Sequence, residues 1–168
     1  MVRLIQFYRQ SKAHQNYIVE LLALLPFFTM IISGLFMLVY HISENESLLL
    51  LGIDKHNWLL AHKISSCTAL SMVIWHLIQH ATWIKDMFTL NPKGKFKRLN
   101  TVLFIVFTLA VVTAMFSWLV FPQTTISDGL RGIHSKLGFT TIILFILHIK
   151  NYFSWLKQMT VKLHKIIK

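Results

Sequence analysis

Residues 17–41 read YIVELLALLPFFTMIISGLFMLVYH, with Glu20 the one acidic or basic side chain among them apart from the closing histidine. A bilayer crossing needs about 20 mostly apolar residues, so this run is long enough to span as a helix. Three further runs of similar character follow, at 57–84, 99–121 and 132–155. Lipid offers the backbone no hydrogen-bond partners, so all four are expected to be helical. The expected fold is an all-α membrane protein, a four-helix transmembrane bundle over 17–155. Residues 1–16 read as a cytoplasmic arm, and 156–168, alternating apolar residues with lysines, as a basic amphipathic tail at the interface.

Composition supports that reading. The chain has 168 residues, 55% hydrophobic and only 14% charged, against about 25% charged in soluble domains. Mean hydropathy is +0.57. A disordered tail and an ordinary soluble enzyme are both poor fits. The net charge of +11 is concentrated at the ends of the apolar runs. Arg3, Arg9 and Lys12 precede the first. Lys85, Lys93, Lys95, Lys97 and Arg98, against Asp86, lie between the second and third. Lys157, Lys162, Lys165 and Lys168 follow the fourth. Loops 42–56 (Glu44, Glu46, Asp54, Lys55) and 122–131 (Asp128, Arg131) are poor in base. The positive-inside rule then predicts a multi-pass protein of the cytoplasmic membrane with both termini inside. The basic cluster at 93–98 reads as a topology signal against anionic lipid headgroups, not as a nucleic-acid site. Residues 1–16 lack the apolar core of a signal peptide, so the first span is expected to remain as an anchor. Cys67 is the single cysteine, which excludes an intrachain disulfide and a C-x-x-C-H haem attachment.

The second and fourth runs repeat each other at an offset of 72. His62 falls on His134, His76 on His148, Thr68 on Thr140, Trp83 on Trp155, Lys85 on Lys157 and Met87 on Met159. At an offset of 80, residues 31–36 fall on 111–116. The chain therefore reads as two repeated helix hairpins. The second and fourth helices run from outside to inside, placing His62 and His134 toward the outer face and His76 and His148 toward the inner.

Histidine is costly inside a membrane and usually has a partner or a task there. Fourteen residues turn a helix about 40° short of four full turns, so the two histidines of each pair share a face, about 21 Å apart along the axis. A mononuclear zinc or copper site cannot use both ends of such a ladder. Two flat cofactors can, if His62 is opposed to His134 and His76 to His148. Opposed imidazoles suit six-coordinate haem iron, which would carry electrons rather than bind oxygen. The expected cofactors are two b-type haems, their iron held by His62, His134, His76 and His148. Lys63, Lys136 and Arg131 stand beside the outer histidines as candidate haem-propionate or quinone contacts, with headgroup snorkelling as the alternative. Ser33, Gly34, Thr113 and Ala114 permit close backbone approach, to a porphyrin or to a neighbouring helix. His80, 18 residues past His62 and so also about five full turns on, competes with His76 as inner ligand. Its counterpart Tyr152 cannot complete the same pair, which favours His76 and leaves His80 to a propionate, a proton path or a quinone head.

The stretches His62-Lys63…Trp75-His76-Leu77-Ile78-Gln79-His80-Ala81-Thr82-Trp83-Ile84-Lys85 and Ile133-His134-Ser135-Lys136…Leu147-His148 resemble small four-helix membrane cytochromes b, most closely the flavinylation-associated cytochrome family. In such families the spaced histidines ligate two b haems, a role the resemblance carries to His62, His76, His134 and His148. It implies electron transfer from a quinol or inner donor to a flavin- or haem-bearing protein outside. There is no FMN-attachment motif and no G-x-G-x-x-G, so a partner would complete the chemistry and the chain would be an electron-transfer subunit. Two other readings stay open: a cytochrome b that oxidises quinol itself, with Glu20 or His80 handling protons, and a non-redox membrane protein whose histidines bind metal transiently.

Overall fold

The computed structural model describes residues 2–43, 48–89 and 93–167, with side chains described between 12 and 162 of these. Glu44, Glu46 and the side chains of Arg3, Arg9, Lys165 and Lys168, used above for charge, lie outside the described residues. Five α-helices follow in order: α1 Val2–Ser43, α2 Lys55–Gln79, α3 Ala81–Phe88, α4 Lys97–Met115 and α5 Thr125–Ile167, with a π-helical segment Phe116–Val120 closing α4. No strand occurs among the described residues. The chain divides into two units, Met1–Ile84 and Lys85–Lys168. In the first α1 packs on α2; in the second α4 packs on α5.

Among the described residues, three helical stretches are long and apolar enough to cross a membrane: Lys12–Ser43, Lys97–Val120 and Thr125–Lys162. The expected second span is helical and long enough as α2, but Lys63, His62, His76, Gln79 and its serines dilute its apolar character. It also does not run unbroken to residue 84. His80 leaves helical geometry (φ −106°, ψ 28°), and its N–H is shared among the carbonyls of His76, Leu77 and Ile78. The arm and the tail are helical in continuity with what adjoins them: α1 starts at Val2, and α5 runs from Thr125 to Ile167 without a break.

Tyr17, Val19, Phe27, Tyr40 and Met87 are buried, but small and hydroxyl-bearing residues are prominent beside them. Buried side chains include Ser33, Ser65, Ala69, Ala110, Ser117, Ser127 and Thr141, while Leu25 (76% exposed), Leu38, Phe88, Phe139 and Ile146 face outward. Small residues at helix contacts and large apolar ones outside are what packing in lipid favours. The hydroxyls are satisfied locally: Ser65 donates to Ala61 O (2.7 Å), Thr68 to Ile64 O (2.9 Å) and Thr141 to Leu137 O (2.8 Å).

Each unit is tied at the end expected to face outward. Asp54 caps α2, its Oδ1 accepting from Asn57 N (2.9 Å). Leu50 and Ile53 exchange backbone hydrogen bonds across a turn in which Leu51 (φ 55°) and Gly52 (φ 75°) are both left-handed, the requirement of a type I′ turn. The Tyr40 hydroxyl locks it, accepting from Leu50 N (3.1 Å) and donating to Ile53 O (2.6 Å). Trp58 Nε1 donates to Leu50 O (3.0 Å), and its ring meets Phe36 edge-on. In the second unit the fully buried Ser127 donates to Ser117 O (3.0 Å) within the π-helical segment.

Candidate functional site: anchored imidazoles in two units

In the first unit, His62 projects from the N-terminal half of α2 against α1. Its Nδ1 lies 3.1 Å from Met30 O and 3.1 Å from Ser33 Oγ. A carbonyl oxygen only accepts, so Nδ1 carries the proton and Nε2 of the neutral ring carries the lone pair. Ser33 is fully buried and donates back to Thr29 O (2.7 Å) and Met30 O (3.1 Å). Gly34 makes room for the ring: a Cβ there would sit 3.1 Å from His62 Cε1. The small residues Ser33 and Gly34, open in sequence to a porphyrin or a helix, thus receive the imidazole itself.

The second unit is built alike. His134 Nδ1 bonds Ala110 O at 2.9 Å, again a carbonyl that fixes the proton on Nδ1. Thr113 bonds its own helix at Leu109 O and Ala110 O.

Further along α5, His148 Nδ1 meets Asn100 Oδ1 (3.1 Å), and Asn100 Nδ2 donates to the Tyr152 hydroxyl (3.0 Å). The His148 and Tyr152 rings lie 4.8 Å apart at 42°, and Phe96 packs on Tyr152 at 5.7 Å. At the C-terminal end of α2, the His76 and His80 rings lie 4.6 Å apart at 49°. Glu20 joins them: one oxygen of its carboxyl and one ring nitrogen of each histidine lie within 4.8 Å of one another, a group that can hold a metal ion. Buried polar atoms without a hydrogen-bond partner include His80 Nε2 within this group and Asn16 Oδ1, Gln79 Oε1 and Trp83 Nε1 within one helical turn of its members in sequence, together with Thr101 Oγ1 in the second unit. Such atoms are costly when left unpaired. Sequence reasoning named Glu20 and His80 separately but missed that they meet His76. The signal was there in the H-x3-H spacing of His76 and His80, one helical turn, and in Asn16 and Glu20, also one turn apart.

The remaining candidates are less engaged with these rings. Lys63 is half-buried; Lys136 and Arg131 are exposed, and Arg131 Nη1 pairs with Asp128 Oδ1 at 3.5 Å on the surface. That ion pair is weak in water. Trp75 and Trp118 are about half exposed, at 53% and 45%, so neither lines a closed pocket within its own unit.

Comparison with protein-family models, curated proteins and solved structures finds no match to this chain.

Proposed function

We propose that the chain is a b-type di-haem cytochrome of the cytoplasmic membrane, similar to the flavinylation-associated cytochromes, with four spans, α2 being the second, and both termini inside. His62, His134, His76 and His148 would hold the two haems, His62 paired with His134 and His76 with His148. Bound haem would supply one-electron transfer. The chain's own residues orient the ligands, keep water out and set their proton positions.

The observation that carries this reading is the anchoring of Nδ1. A ligating histidine characteristically donates its other ring N–H to a carbonyl or carboxylate, which fixes the tautomer and ring orientation. His62 does so to Met30 O and His134 to Ala110 O; His148 has an amide oxygen in the same role. The donor set therefore fits haem. The repeat gains support at the same time: the offset of 80 carries Met30 onto Ala110 and Ser33 onto Thr113, while the offset of 72 carries His62 onto His134 and the buried Ala69 onto the buried Thr141.

Electrons would come from a quinol or another inner donor and leave to a flavin or haem protein outside. The unpaired polar atoms of Asn16, Gln79, His80 and Trp83 support a polar headgroup near the inner face. The test uses the chain in vesicles enclosing ferricyanide, with dithionite outside. Ferricyanide is reduced faster than in empty vesicles if the reading is right, and His62→Ala abolishes the difference. Equal rates with and without the chain would reject it.

A second reading rests on the group of Glu20, His76 and His80: a metal-binding membrane protein without redox function. A colourless chain that binds zinc, and loses it on His80→Ala, would establish that reading instead.

A further inference from the structure

The inner levels of the two units are built on one plan with one change of chemistry. The offset of 72 carries His76 onto His148 and His80 onto Tyr152, and the offset of 80 carries Glu20 onto Asn100. The ring pairs match in geometry, 4.6 Å and 49° against 4.8 Å and 42°. In the second unit the partner of the histidine Nδ1 is a neutral amide oxygen, and that amide is itself tied to a neutral phenol. In the first unit the corresponding group is the carboxyl of Glu20, within 4.8 Å of a ring nitrogen of His76.

We propose that Glu20 is the positioning partner of the His76 imidazole, as Asn100 is of His148, and that this exchange of amide for carboxyl makes the two inner ligands electronically unequal. The inference rests on the haem reading above. An ionised carboxylate accepts a ring N–H more strongly than an amide does. The imidazole becomes a more basic ligand, and a more basic ligand stabilises the oxidised iron. The haem that His76 ligates would then sit at a lower potential than His76 with an amide partner would give it. The outer histidines, which donate to backbone carbonyls, lie outside this influence.

The test is a redox titration of the purified full chain at one fixed pH, following the reduced b-type absorption of both haems. Glu20→Gln raises one midpoint and leaves the other where it was, and Glu20→Asp brings the shifted midpoint back toward wild type. Asn100→Asp, which gives His148 the partner that His76 has, lowers a midpoint. The upward shift of Glu20→Gln persists in a His80→Phe background, because the effect runs through His76. Unmoved midpoints in a Glu20→Gln chain that keeps two haems overturn the inference and leave the haem reading standing. If Glu20→Gln loses a haem, Asn100→Asp decides: a lowered midpoint supports the inference and an unchanged one overturns it. A wild-type chain that takes up no haem overturns both.

Discussion

Gly34 offers the sharpest test of how His62 is seated. An alanine Cβ at this position would lie 3.1 Å from His62 Cε1 and 3.5 Å from Nδ1, so the ring must yield by a few tenths of an ångström. The ring cannot retreat freely, because Nδ1 is held at 3.1 Å by both Met30 O and Ser33 Oγ. Overpacking of this kind costs about 1–3 kcal/mol. Replacing glycine by alanine inside a helix returns about 0.5–1 kcal/mol. The net expectation is a destabilisation of about 0–2.5 kcal/mol, or a Tm lower by up to about 10 °C at roughly 2–4 °C per kcal/mol for a chain of this size. Gly129, inside α5, is the control: an added Cβ there meets nothing within 4 Å, so only the helical gain applies and Tm rises by about 1–4 °C. Thermal unfolding in detergent, followed by circular dichroism, reads both variants. Gly34→Val, with a bulkier and β-branched side chain, falls further than Gly34→Ala. If Gly34→Ala raises Tm as much as Gly129→Ala does, the imidazole is not seated against this glycine and the described site is wrong.

Other consequences follow from single contacts. Tyr40→Phe removes both hydroxyl bonds of the loop turn, at about 0.5–1.5 kcal/mol each, and hydrogen exchange at the Leu50 amide accelerates while exchange in α5 is unchanged. Asn100→Leu breaks the chain from His148 to Tyr152, and the Tyr152 side chain loses its partner; the variant is expected to lose one haem and keep the other, read by haem content per chain. The Asn57 backbone N–H bonded to Asp54 holds that carboxyl below the ordinary carboxylate range. A lowered folded-state value means that the cap's contribution is complete above about pH 4 and is lost as pH falls through the folded value. Fraying of the first turn of α2 on acidification, absent in Asp54→Asn, would be seen as faster amide exchange at Asn57 and Trp58.

The helices were legible because apolar runs of spanning length leave few options, and 17–41 needed no tertiary information. The packing of α1 on α2 and of α4 on α5 agrees with the expectation of two helix hairpins. The break at His80 was not legible: no proline or glycine marks it, and one shared N–H decides it. The apolar character of the second span was overestimated, because its histidines and Lys63 were counted for chemistry and not against transfer into lipid. Within the site, the spacing of the histidines could be read, but the anchors of His62 and His134 could not. Met30 and Ala110 act through backbone carbonyls, which any residue type supplies, so no side-chain signal exists for them. Glu20 and Asn100 do carry a signal, at the offset of 80, though chemically dissimilar residues in aligned positions are easily passed over.

The central claim is that four imidazoles, each oriented by its own unit, hold two haems. It is tested most directly by haem content and optical spectra of the purified chain and of its four single histidine variants. The account predicts two b-type haems per chain, with His62→Ala and His134→Ala losing the same haem and His76→Ala and His148→Ala losing the other. A folded wild-type chain without haem, or full retention of both haems in any of these four variants, would contradict it.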